Sequence, residues 1–301
     1  MSSGLVLIDK PQGWTSHDIV AKLRGIAGTR RVGHAGTLDP MATGLLLLGV
    51  NAGTKLLTFL VGEGKTYEAT IRLGASTITD DAEGDFVALA DASKVRAVTP
   101  EQIEAALVEL RGDIMQVPSS VSAIKVDGER AYAKVRGGDE VKLAARPVKI
   151  GKFEITKSPQ VNETESGVFV DFDAVIECSS GTYIRALARD LGATLGVGGH
   201  LTALHRTRIG KYKIEDAAKM QDITRDNLAI TSMFDSVKDA FELRELTDQE
   251  VIDLRHGKRI AAEGASGAEI AGVHGEQLIA MLEPVGSQLK SSVVFAVSAN
   301  D

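Results

Sequence analysis

The sequence has few of the residues that mark disulfide-stabilised and metal-binding proteins. Its one cysteine, Cys178, has no second cysteine with which to form a disulfide, and its six histidines are scattered along the chain. The Cys/His spacing typical of a structural metal site is missing, so we expect no bound metal.

Long apolar runs are also missing. No stretch of 18 or more uncharged apolar residues occurs, and the N-terminus lacks the basic and apolar regions of a secretory signal. We therefore expect a cytoplasmic protein that does not associate with membranes.

Positive charge is scarce overall, since the formal net charge is −7, and this argues at first against a nucleic-acid partner. The excess acid is concentrated near the C-terminus: residues 214–301 hold 8 Lys+Arg and 16 Asp+Glu, against 26 and 25 in residues 1–213. Two local basic clusters could contact phosphates or be ordinary solvated surface. One is the stretch 205–213. The other comprises Lys22, Arg24, Arg30 and Arg31.

The chain is long enough, at 301 residues with 44% apolar residues, for one large and one small domain. Apolar or alternating runs predict strands at residues 4–9, 45–50, 66–73, 121–126, 148–156 and 168–177. Caps and helical spacing predict helices at residues 15–27, 99–111, 129–136 and 182–195. This mixture indicates an α+β fold with a mixed, largely antiparallel sheet flanked by helices.

Three segments of the chain are distinguished by their composition rather than by periodicity. Residues 32–44 are rich in glycine and are predicted to form a loop between packed elements. From about Asp222 the composition turns acidic, and residues 242–295 contain short strand-like runs. We expect a main domain at 1–213, a connecting segment at 214–240 and a small β-rich domain at 241–301.

The loop at 32–44 contains the residues with the clearest chemical potential. Asp39 precedes a proline, and taken alone such an aspartate is more often a turn residue than a catalytic one. Nearby glycines permit a ligand to approach the backbone, and His34 adds a ring that can stack or donate. These features raise the odds of a functional loop without identifying a reaction.

Two other segments offer candidates. Tyr67 lies in a predicted strand, where a tyrosine is usually a packing residue. Residues 181–185 open a helix, where backbone N–H groups and Arg185 could hold an anion, although an ordinary helix start is the better explanation from spacing alone. Cys178 is most simply a buried apolar residue.

Several longer motifs occur in a fixed order over about residues 4 to 213. They are DKPQGWTS (9–16), GHAGTLDPMATG (33–44), KTY (65–67), LG (73–74), QVPS (116–119), SAIK (122–125) and CSSGTYIR (178–185). Together they closely resemble the bacterial tRNA pseudouridine-55 synthase family, TruB. Such a series at ordered spacing is far more specific than any one short pattern.

The resemblance implies an isomerase that needs no cofactor and acts on the T-arm of tRNA without an obligatory protein partner. By this resemblance Asp39 is the nucleophile, Arg185 is its cationic partner, and Tyr67 stacks on the flipped base or serves as general base. Other positions that match the family's substrate contacts are His34, Tyr183 and Leu204. Asp81 matches an acidic position of lesser weight. The family's C-terminal domain is PUA-like, which is the expectation for residues 241–301.

Three alternatives remain at this point. A tRNA-folding chaperone that binds the T-arm, with catalysis incidental, would share every RNA-binding feature but would not need Asp39. A guide-RNA-dependent synthase of the dyskerin type shares the catalytic core, but it normally relies on protein partners and basic extensions. An unrelated hydrolase using Asp39 would leave the other motifs unexplained.

Overall fold

The structure is a computed structural model that describes residues 2–120, 125–126, 129–130 and 143–295. In these residues the helices are α1 (Ser16–Ala27), α2 (Gly53–Leu60), α3 (Ala92–Arg96), α4 (Pro100–Glu109), α5 (Ile184–Thr194), α6 (Met233–Val237) and α7 (Asp248–Arg255). Short 3₁₀ turns lie at Ile214–Asp216 and Met220–Asp222. None of the helices in the described residues is both long and apolar enough to cross a membrane.

The strands account for most of the remaining regular structure. Those of the first half are β1 (Gly4–Lys10), β2 (Val32–Ala35), β3 (Thr43–Val50), β4 (Lys65–Leu73), β5 (Ala75–Thr77), β6 (Phe86–Leu89), β7 (Gly112–Gln116), β8 (Lys125–Val126), β9 (Glu129–Arg130) and β10 (Arg146–Thr164). Those of the second half are β11 (Gly167–Cys178), β12 (Gly199–Ile209), β13 (Tyr212–Lys213), β14 (Ala218–Lys219), β15 (Thr231–Ser232), β16 (Glu242–Glu245), β17 (Ile260–Ala261), β18 (Ile270–His274), β19 (Gln277–Val285) and β20 (Gln288–Val294). The fold is therefore α+β, as predicted.

The chain divides into two compact units that do not follow the linear order of the sequence. The first unit contains Met1–Pro40, Gly44–Gly62 and Ile209–Asp301, and the second contains Met41–Thr43 and Glu63–Arg208. The division at residues 213 and 240 that we expected from composition stays a prediction.

The first unit is built on the antiparallel pair β1 and β3, in register from Gly4 opposite Val50 to Lys10 opposite Gly44. Both faces of this pair are covered, which is why both strands read as apolar runs rather than alternating ones. One face packs on α1, and the other packs on α2 and on residues of the C-terminal sheet. The buried side chains of the α1 face include Val6, Ile8, Ile19, Leu23, Leu46 and Leu48.

The predicted loop at 32–44 is wrong at both of its ends. Residues 32–35 form β2, which pairs antiparallel with β3 so that His34 lies opposite Leu48. Residues 43 and 44 already belong to β3. Glycines suggested an irregular segment, but pairing with a strand distant in sequence satisfies the backbone here, and Gly36, with φ of 79°, begins the true loop.

The C-terminal part of the first unit holds a five-stranded sheet in the order β16, β18, β19, β20 and β17. Its core is formed by apolar residues of the sheet and of α7, among them Leu254, Ile270, Ile279, Leu282 and Leu289. The β-rich character predicted for residues 241–301 is confirmed.

The second unit contains a sheet with strands in the order β12, β4, β11, β10 and β7. From β4 to β7 in this order, each strand is antiparallel to the next. Helix α4 begins as predicted, with Thr99 and Gln102 forming a capping box around Pro100. Helix α5 buries the residues that its spacing placed on one face, including Leu187 and Leu191.

One predicted helix is wrong where it can be compared with the structure. Glu129 and Arg130 form β9, which pairs with Val126 and Lys125 in a two-stranded hairpin. The first four residues of the predicted strand, 121–124, and the rest of the predicted helix, 131–136, lie outside the described residues. A local pattern of charged and apolar residues suggested a helix, but cross-strand pairing decided the outcome at these two positions.

Candidate active site

In the first unit, Asp39 follows β2 in a loop whose backbone is held on both sides of the aspartate. On its N-terminal side, the Ser16 hydroxyl donates to the carbonyl of Leu38 at 3.1 Å and accepts from the amide of Leu38 at 2.9 Å. Ser16 and Leu38 are both buried. A single hydroxyl at the start of α1 therefore satisfies both backbone groups of the residue before Asp39.

On the C-terminal side, Pro40 is held through its carbonyl. The amide of Gly13 donates to this oxygen at 2.8 Å, and the Nζ of Lys10 donates to it at 3.3 Å. Lys10 is fully buried and also donates to the carbonyl of Trp14 at 2.6 Å. The turn between β1 and α1 is thus tied to the residue that follows Asp39.

The Asp39 side chain is half-buried in a loop of restricted backbone freedom. A carboxylate held in this way loses little conformational freedom when it meets a substrate, which is the geometric requirement for a nucleophile. Five residues earlier, the His34 ring contacts the ring of His17 edge to face, with centroids 5.6 Å apart. The first unit therefore places His34 and Asp39 at the two ends of one short, ordered segment.

In the second unit, Tyr67 lies on the central strand β4 opposite Ile176 of β11, and only 6% of it is exposed. The guanidinium of Arg206, on β12, lies 6.0 Å from the centroid of its ring. Arg206 is almost completely buried. Tyr67 is therefore an ordered aromatic residue with a cation against its ring.

Tyr183 and Leu204 are held by backbone contacts in the same unit. The amide of Tyr183 donates to Oε1 of Gln116 at 2.9 Å, and the Nε2 of Gln116 donates back to the carbonyl of Tyr183 at 3.1 Å. Leu204 is buried, and its carbonyl accepts from the Thr43 hydroxyl at 3.5 Å. Tyr183 precedes α5, so this reciprocal pair also fixes where the helix begins.

Arg185, on the first turn of α5, is buried with its guanidinium among oxygen atoms. Its Nη1 donates to the carbonyl of Thr79 at 2.7 Å and lies 3.5 Å from Oδ2 of Asp81. The side chains of Arg185 and Asp81 are 6% and 3% exposed, so this pair is shielded from water. Asp81 is anchored in turn by the amide of Glu83, which donates to its Oδ1 at 3.0 Å.

A second buried carboxylate, Asp80, lies beside this pair. Its Oδ2 accepts from the Ser119 hydroxyl at 2.7 Å and lies 3.4 Å from Nη1 of Arg189. Burial raises the pKa of the Asp80 carboxyl above its usual value, and the Ser119 hydrogen bond and the charge of Arg189 oppose that rise. Because Ser119 also lies 3.4 Å from Arg185, the two carboxylate networks share a member.

Lys65 and Cys178 face each other across β4 and β11. Burial, and then the charge of Arg206, lowers the pKa of the Lys65 ammonium to about 8. Burial raises the pKa of the Cys178 thiol to about 11, so the thiol stays protonated at neutral pH and is a poor nucleophile. The interpretation of Cys178 as a buried apolar residue is confirmed.

The two basic clusters differ in their exposure to solvent. The four residues of the cluster near α1 are exposed, and Arg24 also donates to the carbonyl of Val32 at 3.2 Å. In the stretch 205–213, Arg206 is buried, so at this residue both the phosphate-contacting and the solvated-surface interpretations are wrong. Lys211 is partly engaged as well, since it donates to the carbonyl of Asp235 at 3.1 Å.

The structure therefore distributes the predicted site residues over both units. His34 and Asp39 belong to the first, and Tyr67, Tyr183, Arg185 and Leu204 belong to the second. Within the described ranges, no group of three or more His, Cys, Asp or Glu residues is placed to hold a metal ion.

Sequence reasoning overlooked several residues of the buried polar networks. Lys10, Ser16 and Lys65 were visible inside the quoted motifs, but their role as buried donors depends on contacts that a motif does not display. Arg206 was assigned to a surface because it lies in a basic run. Arg206 lies two residues after the buried Leu204 on β12 and therefore on the same face of the strand, but an arginine at such a position carries no clear signal for burial.

Three family models match consecutive parts of the chain. They are described as "TruB family pseudouridylate synthase (N terminal domain)" at residues 24–184, "tRNA pseudouridylate synthase B C-terminal domain" at 185–254 and "tRNA Pseudouridine synthase II, C terminal" at 241–296.

Full-length relatives are similar over nearly the whole sequence. A tRNA pseudouridine synthase B of Arthrobacter sp. (strain FB24) is 52% identical over 307 residues, covering 99% of this chain and 98% of that protein. One of Paenarthrobacter aurescens (strain TC1) is 50% identical over 305 residues, covering 98% of this chain and 96% of that protein.

Solved structures with the same fold are more distant in sequence. A chain of an H/ACA RNP bound to a substrate RNA containing 2′-deoxyuridine is 24% identical, with a TM-score of 0.69 over 97% of this chain and 85% of that one. A chain of a Cbf5–Nop10–Gar1 complex is 25% identical with the same TM-score and coverage.

Proposed function

The chain belongs to the TruB family of pseudouridylate synthases, and from this premise we propose that it isomerises uridine 55 in the T-loop of tRNA, with Asp39 as nucleophile. It is a tRNA pseudouridine synthase by its family and its full-length relatives. The uridine position, the T-arm and the residue roles are the parts that we propose. A tRNA substrate agrees with a cytoplasmic location.

The observation that carries the nucleophile assignment is the backbone clamp around Asp39. Leu38 is held by Ser16, and Pro40 is held by Lys10 and Gly13, so the aspartate is presented from a segment with little freedom. Preorganisation of this kind is what attack on a single carbon atom requires.

The reaction breaks the bond between ribose C1′ and N1 of uracil, and it forms a bond between C1′ and C5. The C5 proton leaves and N1 gains a proton, so the atoms balance without redox chemistry or an energy source, and no cofactor is required. An aspartate can attack either ribose C1′ or base C6, and heavy-atom isotope effects at the two carbons distinguish the routes.

The remaining roles follow from the family motifs. Arg185 is the proposed cation for the nucleophile's carboxylate, since an arginine stays protonated and offers planar, bidentate donors. Tyr67 stacks on the flipped uracil, whose extrusion costs a few kcal/mol in lost stacking. Tyr183 and Leu204 are proposed to contact the substrate, and His34 is proposed to occupy the space that the flipped base leaves in the RNA.

The decisive experiment is a single-turnover assay on unmodified tRNA with enzyme in excess, in which pseudouridine is measured directly. We expect Asp39→Asn to form no product while keeping near-normal RNA affinity, because phosphate and stacking contacts reside in other residues. Asp91→Asn is the matched control, since it makes the same change at an exposed helix cap. Full product from Asp39→Asn would remove the aspartate from the mechanism.

The same assay separates the proposed enzyme from a tRNA chaperone. A tRNA transcript with cytidine at position 55 should bind but yield no pseudouridine elsewhere in the T-loop. If folded wild-type protein bound unmodified tRNA tightly and formed no pseudouridine, the chaperone alternative would replace the enzyme.

A further inference from the structure

We propose that Arg206 is a positioning residue that sets the plane of the Tyr67 ring through its guanidinium. The inference rests on the proposed function, because it concerns the tyrosine assigned to stack on the substrate uracil. No family motif that we identified in the sequence includes Arg206, and it was first interpreted as part of a basic surface.

The geometry places the two groups on adjacent strands of the second unit. Strand β12 neighbours β4, and the Cζ atom of Arg206 lies 6.0 Å from the Tyr67 ring centroid. Arg206 is 1% exposed and Tyr67 is 6% exposed. The separation is near the outer limit for a cation–π contact, but the attraction between a cation and an aromatic face is strengthened where water is excluded.

Arg206 keeps its charge in a buried part of the second unit. Lys65, which donates to the carbonyl of Glu63 at 2.8 Å and to the Ser180 hydroxyl at 3.2 Å, is a second buried cation in the same region. Burial, and then the charge of Arg206, lowers the pKa of Lys65, and an arginine does not release its own proton to relieve the repulsion. Well-packed apolar side chains often replace buried charges at no cost in stability.

A persistent cation against one face of Tyr67 has a direct use in base flipping. We expect it to hold the ring by one face, so that the uracil stacks on the opposite face. Uracil stacks well only when the receiving ring is already in the right plane, since ordering a mobile ring on binding would consume part of the stacking energy. Arg206 is therefore expected to act on the chemical step rather than on tRNA capture.

The first test compares three variants in the single-turnover assay. Arg206→Met keeps approximate length without charge, and we expect the rate constant to fall about 10- to 30-fold with tRNA affinity unchanged within twofold. Arg206→Lys should recover part of this loss. The matched control is Arg72→Met, because Arg72 lies 4.8 Å from the ring of Phe169 in the same sheet and should change stability but not the rate constant.

The second test asks whether the effect passes through the ring. The loss caused by Arg206→Met should persist in a Tyr67→Phe background, which keeps the ring, and fall below twofold in a Tyr67→Leu background. An equal loss in the leucine background would overturn the proposal.

A readout independent of activity uses the four tyrosines of the sequence. With 3-fluorotyrosine incorporated, the ¹⁹F signal that disappears in Tyr67→Phe should shift in Arg206→Lys and stay in place in Arg72→Met. An unmoved signal in folded Arg206→Lys would also overturn the proposal. Failure of the proposed function itself is distinct, because it would appear as absence of pseudouridine with the wild-type protein.

Discussion

Replacing Ser16 by alanine is expected to slow pseudouridine formation although Ser16 is assigned no chemical step. Among the described residues, the serine hydroxyl is the only side-chain group that forms hydrogen bonds with both the amide and the carbonyl of Leu38. Removing it releases the backbone immediately before Asp39. The carboxylate remains present but is no longer held in one place.

The size of the effect follows from the two lost hydrogen bonds. Both Leu38 groups lie in a buried region, and leaving a buried donor or acceptor unsatisfied costs about 1–3 kcal/mol each. We expect the free energy of unfolding to fall by about 2–4 kcal/mol, a range that assumes partial rescue by water. Displacement of a reacting group by about 1 Å can cost roughly 100-fold in rate, so a loss of about 10- to 100-fold is expected for Ser16→Ala.

The assay is single-turnover pseudouridine formation, run at a temperature where urea denaturation shows each variant to be fully folded. The matched control is Thr15→Ala, which alters the adjacent residue. Thr15 caps the same helix through the amide of Asp18 and makes no recorded bond to Leu38 in the described residues, so its loss should cost about 1 kcal/mol of stability. Its rate constant should remain that of the wild type.

A comparison of the two variants can refute this reasoning. If folded Ser16→Ala matched the wild-type rate constant, the clamp on Leu38 would not position Asp39. If Thr15→Ala slowed the reaction as much as Ser16→Ala, the effect would belong to the stability of α1 rather than to the hydroxyl.

Three further predictions concern two buried ionisable groups of the second unit. Arg185→Lys should lower the rate constant at least tenfold, because a lysine lacks the planar, bidentate donors of the guanidinium that we propose to hold the Asp39 carboxylate. Wild-type activity in this variant would contradict the role of the guanidinium. The Cys178 thiol should resist a disulfide reagent in the native protein up to about pH 9 and react at once in urea, since its pKa is raised to about 11 in the fold. Because the folded pKa lies above the unfolded one, the contribution of Cys178 to stability should decline between pH 9 and 11. If the free energy of unfolding changed with pH in the same way in the wild type and in Cys178→Ala over this range, the predicted decline would be contradicted.

Local signals in the sequence were sufficient for the elements whose boundaries depend on their own residues. The capping box of Thr99 and Gln102, with Pro100 between them, located the start of α4. The apolar spacing of 184–191 located the buried face of α5. Caps and helical periodicity act within a few residues, so they can be read without knowing the partner elements. The ordered motifs likewise sufficed for the family.

Tertiary structure alone decided features that depend on pairing between distant residues. Residues 32–35 became a strand because β3 was available to pair with them, and Arg206 became a buried partner of Tyr67 because β12 lies beside β4. The clamp on Asp39 has the same origin, since Ser16 and Leu38 are 22 residues apart. The sequence by itself was sufficient for the family and for choosing the residues to which we assign the chemistry. Which side chains hold them in place was decided by contacts between segments that no local pattern records.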